Sequence, residues 1–413
     1  MRKLKLFTIL AGIGILISCT NGNKKLTETE LIDHALKLHK EMITIDTHND
    51  TPMRFLRAGF DFSGEKNVAR GSCVDLLKME KGGLDAAFFA VFTSQGECSP
   101  EKYEKVNSRA LEILAAIHKQ VDLYPNRAGV ATNPDDVYTL KKEGKRAIYI
   151  GVENGYPIGT NISLLKKYYD LGARYVTLCH TSNNQICTSS TSKDTLNKEG
   201  ISEFGRAVVK EMNRLGMIID ISHVSDSSFY DALQISAAPV IASHSCSRAI
   251  CNNPRNLSDE MLVKLAQKGG VVQMCILSDY VKVIEKNPKR DSARMVLRTK
   301  YNDFQNLTRE QDSLASIDWN QLDENFPQKK ANVSDVVDHI DHMVKIMGIE
   351  HVGIGTDFDG GGGVDGCKDA SQMMNITVEL LRRGYSDGDI KKIWGENFLR
   401  VFREVLEYSK KQI

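Results

Sequence analysis

Apolar, β-branched runs recur along the chain with stretches of helical spacing between them. Eight runs read as strands, at about 42–48, 84–93, 146–153, 173–179, 217–223, 239–244, 270–277 and 351–357. Most are near-continuous in apolar character, the pattern of parallel strands covered on both faces. Val106 to Lys119 places Ala110, Leu111, Leu114 and Ile117 on one helical face, and Phe204 to Leu215 does the same with Val208, Met212 and Leu215. Leu262, Leu265 and Ala266 serve that purpose before the seventh strand. Alternating strand and helix predicts a parallel sheet, and a count of eight favours closure into an α/β fold of the TIM type, a (β/α)8 barrel. A doubly wound open sheet is the alternative, but it would keep the first and eighth strands apart. Residues 181–203, rich in Ser, Thr and Asn, are expected to form a long loop over the barrel mouth. Residues 281–332 form a charged insertion between the seventh and eighth strands. A lid, an oligomer contact and a partly disordered surface are all open readings of it.

Five of the runs end in metal-binding side chains. Ile43–Ile45 leads into Asp46-Thr47-His48-Asn49-Asp50, and the run from Ala147 ends in Glu153. The run from Met217 ends in His223, that from Val240 in His244, and that from Val352 in Asp357. A (β/α)8 barrel builds its active site from the C-terminal ends of several strands. Histidine and carboxylate without cysteine suit a catalytic zinc site better than a structural one. His48 and Asp50 are two apart, so on a strand they share a face and can hold one ion. Glu153 can bridge through its two oxygens to a second ion bound by His223 and His244. Two zinc ions bridged this way lie about 3.5–4 Å apart and generate a hydroxide between them at neutral pH. Asp357 is then the candidate general base, taking the nucleophile's proton and returning it to the leaving amine. Any one of these histidines alone reads as a hydrogen-bonded interior residue. Five ligands on four strand ends argue for a metal centre.

The first residues bear on compartment. Arg2, Lys3 and Lys5 precede an apolar stretch from Leu6 to Ile17 that is too short to span a bilayer comfortably, and the pair reads as a secretory signal. Leu16-Ile17-Ser18-Cys19 resembles the bacterial lipobox, so residues 1–18 are expected to be removed and Cys19 lipidated. Residues 19–30 then form a tether and 31–413 a single barrel domain, facing the periplasm from a lipid anchor. The formal net charge is +1, and losing the three basic residues of the head takes it to about −2. No basic patch suggests nucleic acid. Nine cysteines are present, but their spacings define no framework. Cys73 with Cys98 and Cys246 with Cys251 are the candidate pairs, and no CxxC motif supports a cysteine zinc site.

These residues carry a resemblance. The matching stretches are Ile45–Pro52, Val74-Asp75-Leu76 with Gly82-Gly83, Gly151-Val152-Glu153-Asn154, and Gly172–His180 with Ser182-Asn183-Asn184. Asp220–His223, Ser243-His244-Ser245, Asn253–Asn256, Gly353–Gly360 and Gly395–Phe398 complete the set. In this order the chain resembles the membrane dipeptidase (renal dipeptidase) family, the M19 peptidases of the metal-dependent amidohydrolase superfamily. The resemblance implies hydrolysis of the single amide of a dipeptide by a dizinc centre. One zinc falls to His48 and Asp50, the other to His223 and His244, Glu153 bridges, and Asp357 shuttles the proton. It also implies that His180 contacts the substrate and stabilises the tetrahedral intermediate, a sensible task for an imidazole beside a developing oxyanion. Arg255 corresponds to the arginine that receives the dipeptide's carboxylate, which a guanidinium binds bidentately. Tyr280, beside the insertion, corresponds to a substrate-contacting tyrosine. Family members are often homodimers. The insertion and the cysteine pattern are where this chain departs most from its relatives. The alternatives are, within enzymes, another dizinc barrel hydrolase acting on a lactone, phosphoester or cyclic amide and, from another class, a surface-anchored binding protein that has lost catalysis.

Other histidines take plainer readings. His339 and His342 are expected on a polar helix face, and His34, His39 and His118 at the surface or in packing. His351 opens the eighth strand at the end of the barrel away from catalysis. Gly360 to Gly363 lacks the Lys-Ser/Thr of a phosphate loop and reads as a turn beside Asp357. Asp359 is a candidate supporting residue for the metal ligands.

Overall fold

The computed structural model describes residues 26–57, 59–65, 71–194, 199–302 and 307–412. Nine strands are present among them: β1 (Ile45–Asn49), β2 (Ala86–Phe92), β3 (Ala128–Val130), β4 (Arg146–Glu153), β5 (Ala173–Thr177), β6 (Ile218–Asp220), β7 (Ile241–Ser245), β8 (Val271–Met274) and β9 (Val352–Ile354). All pair in parallel, in the order β1-β2-β4-β5-β6-β7-β8-β9. The first and last strands meet through the chain beyond β9. The Asp357 N–H donates to the His48 carbonyl at 2.9 Å and the Asp50 N–H to the Phe358 carbonyl at 2.8 Å. This closure makes the fold the expected (β/α)8-type barrel and excludes the open sheet. β3, not expected from the sequence, pairs with the edge of β4 outside the ring. Three residues are too short a run to show a period.

Alternation along the strands sorts two apolar layers. Ala86 and Phe88 of β2 and Ala147 and Tyr149 of β4 fill the barrel interior, with Tyr175 of β5 and Phe398 of the C-terminal helix Asn397–Lys410. Ala87, Phe89 and Val91, with Ile148, Ile150 and Val152, face outward under the helices. Inside, Phe88 stacks on Tyr149 at 4.8 Å and on Tyr175 at 5.3 Å between ring centroids. Removing a ring of that size from a closed core costs about 3–5 kcal/mol, so the stack is a firm floor for whatever lies above it. Gly151 makes it fit, because a Cβ there would lie 2.0 Å from the Tyr175 ring.

The helices follow their caps and faces. Pro100–Asp122 buries Ala110, Leu114 and Ile117, and Glu203–Leu215 buries Val208 and Met212. The Ser202 and Ser258 hydroxyls accept from the backbone three residues on, at the starts of Glu203–Leu215 and Asp259–Gln267. Helix Glu28–Glu41 begins inside the stretch assigned to the tether, because Thr27 and Glu30 form a capping box. The described part of the insertion forms two helices, Pro288–Lys300 and Arg309–Asn325, and Arg290 of the first donates to the Phe326 carbonyl at the end of the second. The signal segment and Cys19 lie outside the described residues. No described helix is long and apolar enough to cross a membrane.

Candidate metal centre

The predicted ligands converge above the aromatic floor. β1 shifts register between Asp46 and Asn49, and Asp50 lies just past its end, so simple alternation does not place the pair. They meet nonetheless, with His48 Nε2 4.0 Å from Asp50 Oδ2. Glu153, the last residue of β4, stands in the middle. Its Oε2 lies 3.6 Å from His48 Nε2, and its Oε1 lies 3.1 Å from His223 Nε2 and 3.7 Å from His244 Nε2. The two histidine Nε2 atoms are 2.9 Å apart. Asp357 offers a carboxylate oxygen within 4.8 Å of donor atoms of His48 and Asp50.

His223 (φ 69°) and Asp357 (φ 59°) hold left-handed backbone, as does Asn154 (φ 78°) next to Glu153. Such conformations cost about 1–3 kcal/mol each and persist where the surroundings over-determine them. Gly360 belongs to the same construction: a Cβ there would lie 2.1 Å from Asp50 Oδ2 and 2.3 Å from Asp357 Oδ1. The glycine turn thus closes directly over the two carboxylates.

Buried polar atoms without a partner mark what the cluster lacks. His48 Nε2, Asp50 Oδ1 and Glu153 Oε2 are all in this state, and each unmade hydrogen bond of this kind costs about 1–3 kcal/mol. His48 Nε2 and Glu153 Oε2 face each other across the 3.6 Å gap just given, with no thiolate beside them. Imidazole and carboxylate donors around such a gap fit a zinc-like cation. Burial works to strip the His48 proton, but the charges of Glu153, Asp50 and Asp357 outweigh it and push its pKa up to about 10. Burial, then neighbouring positive groups, pushes His223 and His244 well below the usual histidine range, leaving them neutral as ligands must be. Burial, followed by the Glu153 charge, raises Asp50 well above its ordinary value. Burial, then Cys275, raises Asp357 similarly.

The substrate candidates ring this cluster. His180 Nε2 lies 3.6 Å from Glu153 Oε1, with its ring 4.7 Å from Phe92 and 4.2 Å from His223. Arg255 is buried, gives one hydrogen bond to the His244 carbonyl at 3.2 Å, and leaves its Nε without a partner. Its guanidinium lies 5.2 Å from the centroid of the Tyr280 ring, whose hydroxyl burial pushes up to about 12.

Some of the plainer expectations change and others stand. His339 is fully buried, not on a polar face: its Nδ1 accepts the Ser247 N–H at 3.1 Å and its Nε2 meets the Val281 carbonyl at 2.8 Å. A 3.6-residue pattern cannot register a helix whose histidine is clamped by two segments distant in sequence. His342 pairs with Asp259, His351 Nδ1 lies 2.7 Å from the Gly270 carbonyl, and His39 packs between Gly83 and Thr377. Asp359 is spent on Thr51, Arg54 and the Cys73 N–H rather than on a metal ligand. All eight described cysteines are free thiols, so neither candidate disulfide forms. Tyr175, whose hydroxyl lies 2.9 Å from His48 Nδ1, and Asp220 and Ser243 behind His244 stand out in the structure without being among the residues expected at the site. Only their places inside the quoted motifs could have signalled them.

A parallel barrel with histidines and carboxylates gathered at its C-terminal mouth defines a metal-dependent hydrolase of the TIM-barrel class. The family model for membrane dipeptidase (peptidase family M19) matches residues 32–412. Dipeptidase tcpJ of Claviceps purpurea is 32% identical over 378 residues, covering 89% of this chain and 78% of that protein. The probable dipeptidase PvdM of Pseudomonas aeruginosa superposes with a TM-score of 0.77 at 32% identity, over 92% of this chain and 99% of that one. A metallopeptidase of Rhodobacter sphaeroides, solved with a phosphinate mimic of the dipeptide L-Ala-D-Ala, shares the fold at a TM-score of 0.71 and 21% identity, over 88% and 99% of the two chains. The chain belongs to the membrane dipeptidase family and is a dipeptidase of the metallopeptidase class.

Proposed function

We propose that this chain hydrolyses dipeptides with a pair of zinc ions, one held by His48 and Asp50, the other by His223 and His244, with Glu153 bridging. The observation that carries this is the position of Glu153, whose two oxygens face His48 on one side and His223 with His244 on the other. When bound, the ions supply Lewis-acid polarisation of the scissile carbonyl and a water acidified enough to attack at neutral pH. Asp357 accepts the proton of that water and gives it to the departing amine. His180 sits where an imidazole can hydrogen-bond the developing oxyanion. Arg255, with an unused buried donor, receives the substrate's C-terminal carboxylate, and Tyr280 orients the guanidinium by packing beside it. In this reading the mature chain begins at Cys19, carries a lipid there and faces the periplasm.

Arg255→Lys tests the substrate class. Losing a fork-shaped charged contact of about 1.5–3 kcal/mol lowers kcat/KM by roughly 10–150-fold for a dipeptide, mostly through KM. A dipeptide amide, which lacks the carboxylate, should show little difference between wild type and variant. Equal penalties on acid and amide would remove Arg255 from carboxylate recognition.

A further inference from the structure

His244 is backed by a chain of hydrogen bonds whose direction can be worked out. Asp220, fully buried at the end of β6, receives four donors. Its Oδ1 accepts the Ser222 and Ser243 N–H groups at 3.0 and 2.8 Å, and its Oδ2 accepts the Thr177 and Ser243 hydroxyls at 2.5 and 2.7 Å. Ser243 has one hydroxyl proton, and the carboxylate takes it. The Ser243 oxygen also lies 2.8 Å from His244 Nδ1. With its own proton committed, that oxygen can only accept, so Nδ1 carries the imidazole hydrogen. Two other acceptors compete for the Ser243 proton, His244 Nδ1 at 2.8 Å in its opposite tautomer and the Ser222 hydroxyl at 3.4 Å, but both are uncharged, and the Asp220 carboxylate at 2.7 Å is the stronger acceptor. His244 Nε2 is thereby left as a bare lone pair, and this is the atom that faces His223 and Glu153.

We infer that Asp220 and Ser243 are positioning residues that fix His244 in the Nδ1–H tautomer, so that its Nε2 is always ready to bind the second metal ion. The inference rests on His244 being a ligand and adds what makes it one. Metal-bound histidines commonly give their other N–H to a carboxylate or carbonyl; here a serine hydroxyl carries the contact one step further to the carboxylate. His48 differs, since the Tyr175 hydroxyl beside its Nδ1 is free in principle to donate or accept.

Asp220→Asn reverses the polarity without changing the shape. The single amide oxygen must serve the two backbone N–H groups, so the NH2 takes the place of Oδ2 and donates to Ser243. The Ser243 proton then turns to His244 Nδ1, and the imidazole hydrogen moves to Nε2, where it blocks the metal. Nitrogen-15 NMR of the chelator-stripped protein should show His244 as Nδ1–H in wild type and Nε2–H in Asp220→Asn. Zinc titration should show the second ion bound about 10–100-fold more weakly, with the first unchanged. Ser243→Ala, which leaves the tautomer unfixed, should lose less. Adding Ser243→Ala to Asp220→Asn should restore affinity to the level of Ser243→Ala alone, because the misdirected donor is gone. A double variant worse than either single change, or an Nε2–H tautomer in the wild type, overturns the relay. Wild type that shows the Nδ1–H tautomer yet binds no zinc upholds the relay and refutes the metal reading instead.

Discussion

Replacing Glu153 with glutamine is expected to cost more zinc affinity than any other single change, because it weakens both halves of the centre at once. The side chain keeps its shape and its place at the end of β4, but loses the charge that faces His48 on one side and His223 with His244 on the other. Supporting residues around a metal typically contribute 10–100-fold in affinity, so a bridging ligand should contribute more than about 100-fold. Metal analysis of the purified variant should find both ions depleted, with dipeptide turnover below detection. The fold should survive, since Glu153 Oε2 has no hydrogen-bond partner to lose and the glutamine carbonyl can take the place of Oε1 beside His223 Nε2. A variant that retains one full equivalent of zinc would show that Glu153 serves one ion only.

Asp357→Asn should separate proton transfer from metal binding. Loss of a general acid–base group costs about 10²–10⁴-fold in rate, and the loss should fall on kcat with KM nearly unchanged. Asparagine is isosteric, and the backbone contacts that hold the left-handed turn, from the Gly360 and Gly362 N–H groups to the Asp357 carbonyl, do not involve the carboxyl group. Zinc content should therefore match wild type. If zinc is lost along with activity, Asp357 is a ligand and the proton shuttle lies elsewhere.

Much of this was legible in the chain because a parallel barrel writes itself in two strong signals. Strands buried on both faces leave apolar runs such as Ala86–Phe92 and Arg146–Glu153, and the candidate site groups fall where those runs stop. Glu153, His223, His244 and Asp357 could all be found that way. What the sequence hid depends on contacts rather than periods. His339 faces inward because the Ser247 N–H and Val281 carbonyl meet it there, and no helical pattern encodes two contacts distant in sequence. His48 and Asp50 were paired by an alternation that the register shift in β1 interrupts; the closing hydrogen bonds to Asp357 and Phe358 bring them together instead. The Asp220–Ser243 chain was equally invisible, since nothing in residue spacing says which proton a serine gives away.

The most direct test of the central claim is zinc content and dipeptide turnover measured on one preparation of the chain beginning after Cys19. Two zinc ions per chain and release of free amino acids from a panel of L-L and L-D dipeptides are expected. A chelator should abolish that release and added zinc restore it. Full dipeptide turnover in a preparation with no bound metal, or undiminished after chelation, would contradict that claim.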